Sequence, residues 1–216
     1  MHKPNNRSKK NLPSGGGGEI DSSNISNQTS LVSERESKTR EVDEALSVFE
    51  DVRDKYGYVI NDIEIATIKG NGARAMAYYV DSEGVIGVNR SYFNDKNMEA
   101  AYQRCVDQGF HPSKGDKTAI QAVVAHELGH ALNDQAAKNM GTTMENAAYL
   151  IVEEARTGTK FSGTYYMAKQ ISGYATHNNK EAIAEAYADV YANGTKAAKE
   201  STAIVNVLNK YLKGGK

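Results

Sequence analysis

The stretch KTAIQAVVAHELGHALN, residues 117–133, carries the pattern around which the rest of the chain can be read. Ile120, Val123, Val124, Leu128, Ala131 and Leu132 recur at three- and four-residue intervals, the period of an α-helix. On such a helix His126 and His130 stand at i and i+4, so both imidazoles project from one face about one turn apart and can grip one metal ion. Glu127 sits beside them, where a carboxylate can take a proton from a water. The competing reading is two histidines that fall into register by accident, so a third ligand and supporting groups must be found elsewhere. Gly129 weakens the helix, and its small size leaves room for a close strand or substrate.

The composition narrows the classes. The chain has 216 residues, 39% of them hydrophobic and 25% charged, with a net charge of −1. That balance gives no general reason to expect nucleic acid or an anionic membrane as partner. No apolar run approaches the about 20 residues that span a bilayer. Cys105 stands alone, which excludes an internal disulfide and a Cys-rich metal site, so any zinc must be held by nitrogen and oxygen. Residues 1–33 are rich in Asn, Ser, Gly and Lys and are expected to form a disordered tail or linker, with one domain over 34–216. The N-terminus lacks the apolar core of a signal peptide, which favours a cytoplasmic or virion-associated protein over a secreted one.

Order is expected from Ser33, where Ser33 and Glu36 resemble a capping box. A helix follows, with Val42, Ala45, Leu46, Phe49 and Val52 at helical spacing and Gly57 closing it. The period then shortens. Tyr58, Ile60, Ile63, Ile65 and Ile68 read as a strand, Asn71-Gly72 as a turn, Ala75–Val80 as a second strand, and Val85, Ile86 and Val88 as a third. Consecutive turns imply a small antiparallel meander. A helix beginning at Asp95 or Asn97 should run to about Gln108, and further helices are expected near 142–157, 163–172, 180–192 and 199–213. The order is α, a small antiparallel sheet, then several helices, an α+β arrangement with the histidine helix followed by a mainly helical C-terminal part.

A catalytic zinc takes three protein ligands and keeps a fourth position open. The extended metzincin pattern would need Gly at position 133 and His at 136, where the chain has Asn133 and Ala136. The available third ligands are Glu181, Glu185 and Asp189, spaced at i, i+4 and i+8 on one Ala-rich helix. Ile183, Tyr187 and Tyr191 beside them indicate a largely buried helix, and buried acids need a cation or hydrogen-bond donors. Spacing alone leaves the choice among the three open.

The segment ISGYATHNNKEAIAEAYAD, residues 171–189, taken with His126-Glu127-Leu128-Gly129-His130, resembles the catalytic domain of anthrax lethal factor, the clostridial Pro-Pro endopeptidases and the zincin-like domains of phage head-morphogenesis proteins. In that family a Tyr lies seven residues before the third ligand, a Glu, and a second Glu follows four residues after it. The resemblance implies His126, His130 and Glu181 as zinc ligands, Glu127 as general base, Tyr174 as the phenol that steadies the oxyanion, and Glu185 as the outer acceptor orienting a ligand histidine. Asp189 keeps a rival open, with Glu185 as ligand and Asp189 behind it. The strand Gly84–Phe93 is similar to the family's edge strand, along which an extended peptide substrate can add.

These readings make the chain a zinc metalloendopeptidase of the gluzincin type. The alternatives are a phage head or interaction protein whose zincin-like domain is mainly a binding module, with phage structural proteins as partners, and a purely structural zinc site closed by a fourth protein ligand. Cys105 reads as a small buried hydrophobe, His111 before Pro112 as a loop residue, His177 as facing solvent, and His2 as part of the tail.

Overall fold

A computed structural model of the protein describes residues 30–31, 40–68, 74–93 and 95–213. In chain order the elements are β1 (Ser30–Leu31), α1 (Arg40–Tyr56), β2 (Asp62–Ala66), β3 (Ala77–Val80), β4 (Val85–Asn89), α2 (Asp95–Asp107), α3 (Ala119–Met140), α4 (Met144–Arg156), α5 (Thr164–Ala168), α6 (Asn179–Asn193) and α7 (Lys199–Leu212). Short 3-10 turns at Tyr174–Thr176 and Gly194–Lys196 bracket α6. The α+β arrangement is as expected. No helix among the described residues is long and apolar enough to cross a membrane.

α1 buries Val42, Ala45, Val48 and Val52, one face of a helix, and the Gly57 amide closes it by donating to the Arg53 carbonyl at 2.8 Å. Val48 takes the fully buried place, while Phe49, expected in the stripe, packs at its margin. α3 begins where it does because Thr118 completes a capping box. Its Oγ1 accepts from the Gln121 amide at 3.3 Å, and the Thr118 amide donates to Gln121 Oε1 at 3.1 Å. Of its 22 residues, 17 are buried, so the apolar stripe is one side of a helix enclosed all round. α1, α2, α4, α6, α7 and the sheet all pack against it, and α6 does so most extensively.

The sheet departs from the expected antiparallel meander. Its order is β1-β2-β4-β3, with β2 and β4 parallel and the other two pairings antiparallel. β3 and β4 form the hairpin read from the sequence, turned by Gly84, whose amide donates to the Val80 carbonyl at 2.8 Å. β2, however, pairs with the far side of β4. Burial accounts for this choice: four of the five residues in both β2 and β4 are buried, whereas Tyr79 and Val80 of β3 are only half-buried and suit an edge. Ile63, Ile86, Val88 and Ala77 face the helices. On the other face the Tyr78 ring lies across Gly87, where a Cβ would come within 2.1 Å of Cζ, and its hydroxyl donates to Glu64 at 3.0 Å.

Two further expectations meet the chain differently. The helix expected over 163–172 is the shorter α5, which gives way to the turn that carries Tyr174. The Ser33–Glu36 capping box, the Asn71-Gly72 turn and most of the expected tail lie outside the described residues, although Ser30–Leu31 within that tail pairs with Ile65 and Glu64 of β2.

Candidate metal centre

The site is built where α3 and α6 cross. A Cβ at Gly129 would fall 2.7 Å from the Ala184 Cα and 3.2 Å from its carbonyl oxygen, so the absent side chain brings the two helix backbones together. The space that Gly129 opens is therefore filled by a helix rather than by the expected strand or substrate. α6 starts at the Asn178 cap, whose Oδ1 accepts from the Glu181 amide at 2.9 Å and fixes Glu181 in the first turn. Glu185 follows one turn later, below Glu181.

His126, Glu127 and His130 form a buried cluster, with one ligand atom from each lying within 4.8 Å of the others. It is consistent with a zincin-type metal-binding motif and able to chelate a metal. Glu181 Oε2 lies 3.2 Å from His126 Nε2 and 3.3 Å from His130 Nε2. None of these three buried atoms makes a hydrogen bond of acceptable geometry, although the carboxylate lies near enough to both imidazoles to interact with them electrostatically. In tetrahedral coordination at about 2.0–2.1 Å, neighbouring ligand atoms stand about 3.3 Å apart. The donor set therefore fits a metal of that size. Three buried carboxylates, Glu127, Glu181 and Glu185, also leave an excess of negative charge that a divalent cation would balance.

No protein-family model, curated protein or solved structure matches the chain. The metal-binding reading stands on the residues themselves.

Glu185 faces the other side of the first histidine. Its Oε1 lies 2.8 Å from His126 Nδ1, and its Oε2 accepts from Ser172 Oγ at 2.7 Å. Asp189 is elsewhere. Its carboxylate accepts from Ser201 Oγ at 2.6 Å and from the Ala198 amide at 2.9 Å, which ties it to the start of α7. Tyr174 is buried, with its ring centroid 5.8 Å from that of His126 and its hydroxyl hydrogen-bonded to Glu181. Burial pushes the phenol far up, and the nearby carboxylates add to this, so it stays a proton donor. His177 is exposed, as expected, with its ring 4.7 Å from that of Tyr174. Cys105 is a buried thiol on α2, as expected, and burial raises its pKa.

Burial opposes charge on His126, yet Glu181 and Glu185 outweigh it and raise its pKa well above the ordinary imidazole value. Burial likewise opposes charge on Glu181, but His130 and His126 hold it down at about 2. Glu185 is held still lower, against its burial, by His111 and His126.

Two corrections concern residues read from sequence. His111 is no ordinary loop residue: it is buried, its Nδ1 lies 2.9 Å from Glu185 Oε1, and its ring stacks on Tyr102 at 5.4 Å. The only local signal was its place between Phe110 and Pro112. The strand Gly84–Phe93 is no edge. β4 is hydrogen-bonded on both sides, so no peptide can add to it, and the free edge near α3 among the described residues belongs to β3.

Proposed function

We propose that the chain is a zinc-dependent endopeptidase of the gluzincin type, in which His126, His130 and Glu181 hold the metal. The observation that carries this reading is the convergence of the two Nε2 atoms and Glu181 Oε2, none of them hydrogen-bonded with acceptable geometry. A bound zinc supplies Lewis acidity, polarising a scissile carbonyl and bringing the pKa of a water toward about 7. Glu127, within reach of the same point, accepts the proton of the attacking water and returns it to the leaving amine. Glu185, on His126 Nδ1, fixes the tautomer that leaves Nε2 as the donor to the metal. Tyr174 donates its proton to the oxyanion that develops on the carbonyl. The substrate is an extended peptide laid along β3. That strand packs on α3, and Tyr79 donates to Asp134 Oδ2 at 3.0 Å, one turn beyond His130. Met76, just before β3, shares a small cavity with His126 and Glu127.

The test is a peptide-library digest with the zinc-loaded chain, a chelated control, and zinc restored. Cleavage that disappears with the chelator and returns with zinc is expected. A chain that holds stoichiometric zinc and cuts nothing would overturn the peptidase reading in favour of a binding module. Tyr174→Phe is expected to keep its zinc and lose roughly 10²–10³ in kcat, the usual cost of one oxyanion donor. An unchanged kcat would remove Tyr174 from the mechanism.

Acidity supplies another check. In the metal-free chain, the raised pKa of His126 gives stability that is complete below about pH 6.5 and lost as pH rises through the raised value. Glu181, lowered to about 2, contributes above about pH 4.5 and loses that contribution as pH falls through its folded value. Zinc reverses the sign for the histidine, because it requires the neutral imidazole. Saturating zinc should therefore raise the thermal midpoint more at about pH 8 than at about pH 6. Equal increments at the two pH values would count against His126 as a ligand.

A further inference from the structure

Glu185 joins three segments of the chain that are distant in sequence. Its Oε1 lies 2.8 Å from His126 Nδ1 on α3 and 2.9 Å from His111 Nδ1 in the loop between α2 and α3, and its Oε2 accepts from Ser172 Oγ just before the Tyr174 turn. The carboxylate is 1% exposed and His111 6%, so both groups are buried from bulk solvent. The loop and the turn are also tied directly. The Gly173 amide donates to the Gly109 carbonyl at 2.8 Å, and the Tyr174 amide to the Phe110 carbonyl at 3.0 Å. The His111 ring meets those of Tyr174 and His126 edge-on, at 5.5 and 6.2 Å between centroids, and is stacked from the other side by Tyr102.

We propose that His111 is a positioning residue of the metal centre: by donating its Nδ1–H to Glu185 it holds that carboxylate on His126 and clamps the turn bearing Tyr174 against α3. The inference rests on the metal-centre reading above. A carboxylate has about four lone-pair sites and turns freely when few are used. With His111 and Ser172 both hydrogen-bonded to it, Glu185 is held in one orientation with Oε1 2.8 Å from His126 Nδ1, the arrangement that favours a proton on Nδ1 and leaves Nε2 to a bound metal. His111 Nδ1 faces Glu185, and the residue stands outside the His126, Glu127 and His130 cluster. Were it only a packed core ring, a change that preserved its shape but not its donor would leave the metal undisturbed.

The test uses the full chain loaded with Co²⁺, whose visible ligand-field spectrum reports the geometry of its donors, together with the rate at which a chelator removes the ion. Asn places an amide nitrogen where the imidazole has Nδ1; Gln places its nitrogen where the ring has Nε2, away from Glu185. His111→Ala and His111→Gln should lose Co²⁺ about ten- to a hundredfold faster than the parent, with an altered spectrum. His111→Asn should retain most of the parent's hold and its spectrum, and where activity is measured the loss should fall on kcat rather than KM. If His111→Ala does not fold, the Asn and Gln variants decide between themselves. Identical release from both overturns the proposal, as does release from His111→Ala at the parental rate. A parent chain that takes up no Co²⁺ would instead bring down the metal-centre reading, so the two failures are distinct.

Discussion

Glu127→Ala is expected to retain its zinc and lose peptide cleavage by about 10²–10⁴, the contribution of a positioned general base. The carboxylate is fully buried and follows His126 on α3, so it reaches the same volume as the two imidazoles. That closeness admits another assignment, with Glu127 as the third ligand. Under the proposed function Glu181 is the ligand, its Oε2 standing 3.2 and 3.3 Å from the two Nε2 atoms, and Glu127 is left to meet the proton of a water. Metal content separates the roles. Glu181→Ala should empty the site and Glu127→Ala should not, with Glu127→Gln, which preserves volume, checking that the loss of turnover is not a packing effect. If Glu127→Ala loses zinc while Glu181→Ala keeps it, the two residues must exchange roles.

What the sequence disclosed about this centre is what lies within one helix. The spacing of His126, Glu127 and His130, and of Glu181 and Glu185, is fixed by 3.6 residues per turn and needs no knowledge of the fold. The same geometry shows why Asp189 leaves the group. Eight residues on, it is rotated about 80° from Glu181 and displaced about 12 Å along the axis, which carries it to the start of α7. There it accepts from Ser201 and the Ala198 amide. The illegible parts are choices of distant partner. Nothing local to Val85–Asn89 says that β2 will pair with it in parallel, or that β3 and not β4 will be the edge. His111 is fifteen positions from His126, and it reaches Glu185 because residues 109–110 bond to the backbone of residues 173–174. That pairing exists only once α2, α3 and α6 have packed.

Gly129→Ala is expected to damage the site although it should improve the helix. In isolation the substitution favours α3 by about 1 kcal/mol through helix propensity. The added Cβ, however, would sit 2.7 Å from Ala184 Cα and 3.2 Å from Tyr187 Cβ. Carbon atoms rest near 3.5–4.0 Å, so α6 must retreat by about 1 Å. Ala184 lies between Glu181 and Glu185, so the retreat moves both carboxylates away from the imidazoles they face. Metal sites tolerate roughly 0.2 Å in ligand distance, and a misplacement of about 1 Å can cost on the order of 10² in rate. Zinc affinity and cleavage should therefore fall together, while the metal-free chain keeps its helical content. Ala184→Gly should give no rescue, because the clash is with the Cα and carbonyl oxygen of α6 rather than with a methyl group. A Gly129→Ala chain with parental zinc affinity would show that the two halves of the site do not depend on the close crossing of α3 and α6.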